Sequence, residues 1–227
     1  MDSMLCTTFS IVARCPRTGD VGVAVSTAVP ATGALVPHVS FKGAIATQSY
    51  VNVSLGIKGL QLLDLGLPID AALEALLAQD EGREVRQVHG VDAAGRTFAH
   101  TGRECVPWFG HQVGPNHTVA GNMLVGQETI LAMQAAFLRT EGSELELAER
   151  LIRALEAGQQ AGGDKRGKQS AALLVASSRP TFQHNLRVDD HPEPVAELRR
   201  VFDLVRTSFE ARRGTYERLK TPIRVKF

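Results

Sequence analysis

The sequence predicts an α+β fold in which two stacked, mainly antiparallel sheets lie between covering helices. Three observations lead there: hairpin signals at both ends of the first half, pairs of amphipathic helices, and a late strand that is apolar on both faces. Residues 7–13 and 21–27 are rich in β-branched side chains and flank Pro16-Arg17-Thr18-Gly19-Asp20, the composition of a hairpin loop. Residues 43–50 read as a third strand. The Pro/Gly/Ala-rich stretch before it, residues 28–37, is long enough to be a functional loop. Two helices follow, residues 55–65 closed by Gly66 and residues 69–78 introduced by Pro68 and the acidic first turn at Asp70. Residues 86–91 and 97–101 form a second hairpin around Asp92-Ala93-Ala94-Gly95, and residues 118–124 a short strand ending in Gly121-Asn122-Met123.

The next helix pair is marked by Ile130, Met133 and Phe137, then by Ala148, Leu151, Ile152 and Leu155 at helical spacing. Ser143 with Glu146 predicts a capping box for the second of these, and Gly158 its C-cap. Residues 170–176 read as the doubly buried strand. Val195, Leu198, Phe202, Val205 and Phe209 mark a last helix. With no internal repeat or low-complexity linker, one domain is expected over residues 1–227, its core spanning about 7–190 and a C-terminal helix and basic tail filling 191–227.

Bulk composition narrows the function classes. The chain has 227 residues, 44% hydrophobic and 22% charged, with a formal net charge of +1, so it projects no global field toward nucleic acid or an anionic membrane. No run of 18 apolar residues could span a bilayer, and no basic region followed by an apolar one suggests a signal peptide. Cys6, Cys15 and Cys105 are odd in number and lack C-x-x-C spacing, which points to a reducing, cytoplasmic setting. The sequon Asn116-His117-Thr118 is then a chance match.

Several motifs compete for chemistry. Residues 161–175, AGGDKRGKQSAALLV, nearly spell a phosphate loop through Gly162, Gly167 and Lys168. Its flanks run helix-then-strand, the reverse of the order that aims a helix N-terminus at phosphate. Gln169 also stands where the magnesium-binding hydroxyl belongs. The seven histidines show no ligand spacing, so no metal is expected; His111 and His117 share a loop with Trp108 and could line a pocket. Arg199 to Lys226 holds nine Lys/Arg against three Asp/Glu, and such a basic amphipathic helix with a tail fits a solvated face or a dimer contact better than a nucleic-acid surface. Ile223 and Phe227 in that tail suggest docking against a neighbour, hence a homo-oligomer, with a homodimer expected. The first strand carries small nucleophiles, with alternation putting Cys6, Thr8 and Ser10 on one face and Thr7, Phe9 and Ile11 on the other.

Five blocks in order carry a resemblance. TFSIVARCPRTGDVGVAVST (8–27), ATQSYVNVSLGIKGLQLL (46–63), HTG (100–102), AGNMLVG (120–126) and AGGDKRGKQSAALLV together resemble an uncharacterised bacterial family of the N-terminal-nucleophile (Ntn) hydrolase-like superfamily, whose members open Met-Thr-Phe-Ser-Ile. The resemblance implies a four-layer α-β-β-α sandwich and hydrolysis of an amide bond in a small-molecule or peptide-like substrate, with no cofactor. It implies Thr8 as the nucleophile and the α-amine of Thr8 as general base, an amine whose pKa of about 8 suits neutral pH. That role requires removal of residues 1–7; a different cut would offer Cys6 or Thr7, and Ser10 is a further alternative. From chemistry alone, Ser26 is expected to hydrogen-bond Thr8 or its amine, and Asn122 to donate to an oxyanion. Ser10, Asp164 and Arg166 are expected to bind substrate. A catalytically silent relative that binds a metabolite or protein partner is the alternative.

Overall fold

A computed structural model describes residues 5, 6, 8–177 and 184–219, the side chains of Leu5 and of residues 209–219 excepted. Among them the fold is mixed α+β, with two antiparallel sheets and five α-helices. The strands are β1 (Leu5–Cys6), β2 (Thr8–Arg14), β3 (Val21–Thr27), β4 (Pro37–Ser40), β5 (Gly43–Tyr50), β6 (Arg86–Asp92), β7 (Thr97–Thr101), β8 (Gly110–Gly114), β9 (His117–Gly121), β10 (Ser170–Ala176) and β11 (His184–Val188). The helices are α1 (Val53–Asp64), α2 (Ile69–Ala78), α3 (Glu128–Leu138), α4 (Leu147–Gln160) and α5 (Pro194–Leu219). One sheet runs β11-β10-β3-β2-β9-β8. In the other, β1 and β4 share one edge of β5, and β6 and β7 follow on its far side.

Alternation along β2 explains the packing. Phe9, Ile11 and Ala13 face α3 and α4, meeting Met133, Leu151, Ile152 and Leu155 in one apolar cluster. Val12, with Val23 and Val25 of β3, faces Ala44 and Ala46 of the other sheet. Leu55, Leu63, Ile69, Leu73 and Leu77 of α1 and α2 close over Ile45 and Val88. Each fully buried Leu or Ile contributes about 1.5–3 kcal/mol, so both outer faces are held by helix burial. Helices α3 to α5 thus pack against the six-stranded sheet, and α1 and α2 against the other.

The expected hairpins, the strand 43–50, the helix 69–78 and the strand 170–176 occur as read. The two-residue β1, with β4, β8 and β11, was not anticipated. Two helix-end readings need correction. The Ser143–Glu146 capping box does not form: Glu146 is the N-cap residue of α4 with no side-chain cap bond, and the Ser143 hydroxyl donates instead to the Thr140 carbonyl, 2.7 Å away. Gly158 lies within α4 rather than after it, because a Cβ there would sit 2.6 Å from Met133 Cγ and 3.1 Å from Phe9 Cδ2. The left-handed residues that end α4 are Gly162 and Gly163, with φ of 114° and 65°. The nearly phosphate-loop-like stretch therefore joins a helix to a strand, as its flanks foretold. Thr7, the Phe209 side chain, and Ile223 and Phe227 of the tail lie outside the described residues.

Candidate active site

Thr8 begins β2 and is fully buried, although it lies at a strand end. Its hydroxyl donates to the Cys6 carbonyl at 2.6 Å and lies 3.7 Å from Cys6 Sγ. The segment before Thr8 thus holds its hydroxyl, and β1 secures that segment by pairing Cys6 with Ser49 and Leu5 with Tyr50. Cys6 is itself buried, near Thr32 and Thr27. Burial pushes its thiol pKa up against the opposing hydrogen bonds from Thr32, Thr8 and Thr27 and the charge of Arg166.

Two neighbouring strands and the connection after α4 complete this end of the sheet. Asn122, just past β9, donates its backbone N–H to the Thr8 carbonyl at 3.0 Å. Asp164 has a fully buried carboxylate that accepts from the Ala28 N–H (3.3 Å), the Arg166 N–H (2.9 Å) and Arg166 Nη2 (2.7 Å). Backbone bonds from Val125 to Gly163 and from Lys165 to Met123 lay this connection against the segment that follows Asn122. Thr8, Cys6, Thr27, Asn122, Asp164 and Arg166 therefore converge.

Ser26 does not join them. Register pairs Thr8 with Thr27 and Phe9 with Ser26, so Ser26 lies on the helix-facing side of β3 and its hydroxyl donates to the Ser170 carbonyl at 3.2 Å. The expected contact with Thr8 fails by one residue of alternation, and Thr27 takes the position instead.

Ser10 shares the face of Thr8 but sits deeper, in a polar line between the sheets. Its hydroxyl donates to Gln48 Oε1 at 2.7 Å and lies 2.8 Å from His89 Nε2. The directions in this line are fixed by two main-chain anchors. Gln87 Nε2 meets the carbonyls of Gly110 (3.1 Å) and Gly121 (2.9 Å), so it must be the nitrogen. Gln87 Oε1 then accepts from Gln48 Nε2 (2.7 Å) and Asn122 Nδ2 (2.9 Å). Gln48 Oε1 takes the single Ser10 proton, so His89 Nε2–H must donate to Ser10 and His89 Nδ1 accept from Thr118, 2.8 Å away. Burial, with a smaller push from His111, lowers the His89 pKa to about 3, consistent with a neutral ring. His89 gives a proton to Ser10 rather than taking one. It is therefore not its general base, and Ser10, with both roles used, is not open to substrate.

Asn122 is the incomplete member of the line. One N–H of its Nδ2 goes to Gln87, and its buried Oδ1 has no partner. Such an orphan acceptor costs about 1–3 kcal/mol and marks a place where a group is expected to arrive. Gln48, Gln87, His89 and Thr118 escaped the sequence reading. The signal available was the polar pair Gln87 and His89, two residues apart and therefore on one face of the strand, with Val88 on the other. His111 bonds Thr101 and His117 bonds Pro115 and Gln134, and among the described residues no three His, Cys, Asp or Glu side chains are grouped to hold a metal ion.

An α+β protein of two antiparallel sheets, with a sealed threonine at the start of a central strand, defines the class. Residues 8–198 match the family of unknown function DUF1028, and the chain belongs to that family. It is similar to a solved structure of the same family, protein SPO2555 from Silicibacter pomeroyi, at 33% identity and a TM-score of 0.78, over 87% of this chain and 88% of that one. No curated protein matches it. The family match begins at Thr8 itself, leaving β1 and the rest of residues 1–7 outside it.

Proposed function

We propose that the chain is an Ntn-type amidohydrolase that acts on a small-molecule amide or peptide-like substrate once residues 1–7 are removed. In this reading the two sheets and their helical covers form the four-layer α-β-β-α sandwich of that superfamily. The observation that carries it is the bond from the Thr8 hydroxyl to the Cys6 carbonyl. The candidate nucleophile is held by the segment whose departure would open space beside it and create its base.

In the uncut chain the Thr8 nitrogen is an amide, whose lone pair is delocalised and takes up no proton. Cleavage before Thr8 converts it to an amine with a pKa of about 8. Thr8 Oγ1 then attacks the substrate carbonyl, its proton passes to the amine, and that proton leaves with the amine product as the C–N bond breaks. Water attacks the resulting ester, the acid departs, and the Thr8 hydroxyl is restored. Asn122 gains a role beside the expected one: its open Oδ1 is an acceptor suited to the Thr8 amine, while the second N–H of its Nδ2 is the one that would serve an oxyanion. Asp164 and Arg166 shape the rim where a polar substrate enters. The scheme calls on no cofactor. The cytoplasmic location and homo-oligomeric state expected from the sequence complete the proposal.

The test compares the full chain, a chain beginning at Thr8, and that chain carrying Thr8→Ala, each assayed for amine release from a panel of N-acyl amino acids and short peptides. The reading expects turnover only from the second, at least about a thousandfold above the other two. Equal turnover with Thr8→Ala sinks it. A second reading, a silent relative that binds a metabolite or protein partner, draws on the complete burial of Thr8 beside an intact leader. It is favoured if none of the three chains turns over and the intact mass from the native cell keeps residues 1–7.

A further inference from the structure

The far end of β2 holds a second feature that the Thr8 chemistry does not use. About six residues from Thr8, roughly 20 Å along an extended strand, a cavity of ≈ 110 Å³ opens between β2, the β8–β9 turn and the α3–α4 connection. Arg14, Arg17 and Arg150 line it with one carboxylate, Glu141, and Arg17 is already paired with Glu144 at 3.3 Å, which leaves Arg14 and Arg150.

Arg150 is 7% exposed, yet among the described residues no carboxylate forms a salt bridge with it. Its Nε donates to Thr140 Oγ1 at 2.9 Å, and its guanidinium lies 4.2 Å above the Phe137 ring. Burial lowers its pKa, as expected for a desolvated cation, with the Cys15 thiol and more distant Glu141 opposing. Arg14 likewise lacks a carboxylate: one terminal nitrogen donates to Asn116 Oδ1 at 3.2 Å, and its buried Nε has no partner. Other shielded arginines are handled differently. Arg86 pairs with Asp80, Arg166 with Asp164, and Arg199 with Glu149 and Glu156. Burying a cation without an anion is unfavourable, so its retention beside a cavity points to an anion supplied from outside.

We propose that this cavity binds a small oxyanion, the phosphate or carboxylate end of a metabolite, between Arg14 and Arg150. Planar guanidinium groups favour bidentate contact with such groups, and His117, kept neutral by burial, adds a polar wall. The site is separate from Thr8 and does not depend on the hydrolase reading.

The test is thermal unfolding of the full chain in phosphate-free buffer at fixed ionic strength, titrated with inorganic phosphate and separately with acetate. At a hundredfold excess over Kd the midpoint should rise by about 5 °C or more. The arm giving the larger rise identifies the end group. Arg150→Gln and Arg14→Gln should each weaken binding at least tenfold, whereas exposed Arg139→Gln should not. Should Arg150→Gln fail to fold, Arg14→Gln carries the comparison alone. An equal rise in both arginine variants overturns the proposal. So does the lack of any rise with either anion, which would leave the Cys15 thiolate as the internal counter-ion of Arg150.

Discussion

Replacing His89 with Gln should flatten the acid limb of the stability curve. A Gln amide can still donate to Ser10 and accept from Thr118, so the polar line survives while its titratable ring is lost. The His89 pKa is about 3 in the fold against 6.5 as the ordinary value. The unfolded chain therefore takes up a proton below pH 6.5 that the folded chain refuses until about pH 3. The contribution is fully present above 6.5 and is lost as pH falls through that window. Between pH 7.5 and 4.5 the lost stability amounts to about 2.7 kcal/mol, at 1.36 kcal/mol per pH unit below 6.5. His38, His111 and His117 are also lowered by burial and tilt both proteins alike. Urea unfolding at half-unit pH steps gives the two curves, and the difference between them should change by about 2.7 kcal/mol, roughly half of which would still be decisive. Parallel curves would mean that His89 is protonated in the fold, and the donor directions deduced for Ser10 and Gln48 would be wrong.

Other expectations follow from the same geometry. Ser26→Ala removes only a bond to the Ser170 carbonyl and should lower stability by about 1 kcal/mol, without altering any activity of the chain starting at Thr8. Loss of that activity would show that Ser26 reaches the site. Gly158→Val should destabilise by about 1–3 kcal/mol in urea unfolding, since its Cβ alone would collide with Met133 and crowd Phe9. In the native protein, iodoacetamide should label Cys15 before Cys6 and Cys105, read by peptide mass. Burial raises all three thiols, but the hydrogen bonds from Thr18 and Arg17 and the charge of Arg150 turn the Cys15 pKa downward, while Cys6 and Cys105 stay raised.

Local signals carried much of the fold. After Ser170 the strand 170–176 is apolar because it is covered on both faces, and the helix 69–78 is framed by Pro68 and a regular apolar stripe. The short edges were harder. β1 has two residues, and β8 and β11 alternate into solvent, so their apolar content is too thin to read. Gly158 resembles a cap in the chain and is a packing contact in the fold, because only the approach of Phe9 and Met133 decides its role. For the site, alternation correctly put Thr8 and Ser10 on one face, but the choice between Ser26 and Thr27 depended on register across β2 and β3, which one strand cannot reveal. Gln48, Gln87 and His89 come from strands far from Thr8 in sequence. Each alone is an ordinary polar residue, and their common line exists only once the sheets face each other.

That line also acts as a key between the two sheets. Valines and alanines across the interface would tolerate sliding, since one methyl surface resembles the next. Ser10, Gln48, Gln87, His89, Thr118 and Asn122 mesh at a single offset, and a shift of two residues would strand several buried dipoles at once. The same contacts that fix Asn122 beside Thr8 thus set the alignment of the sheets, so a substitution in the line is expected to disturb fold uniqueness and the Thr8 end together.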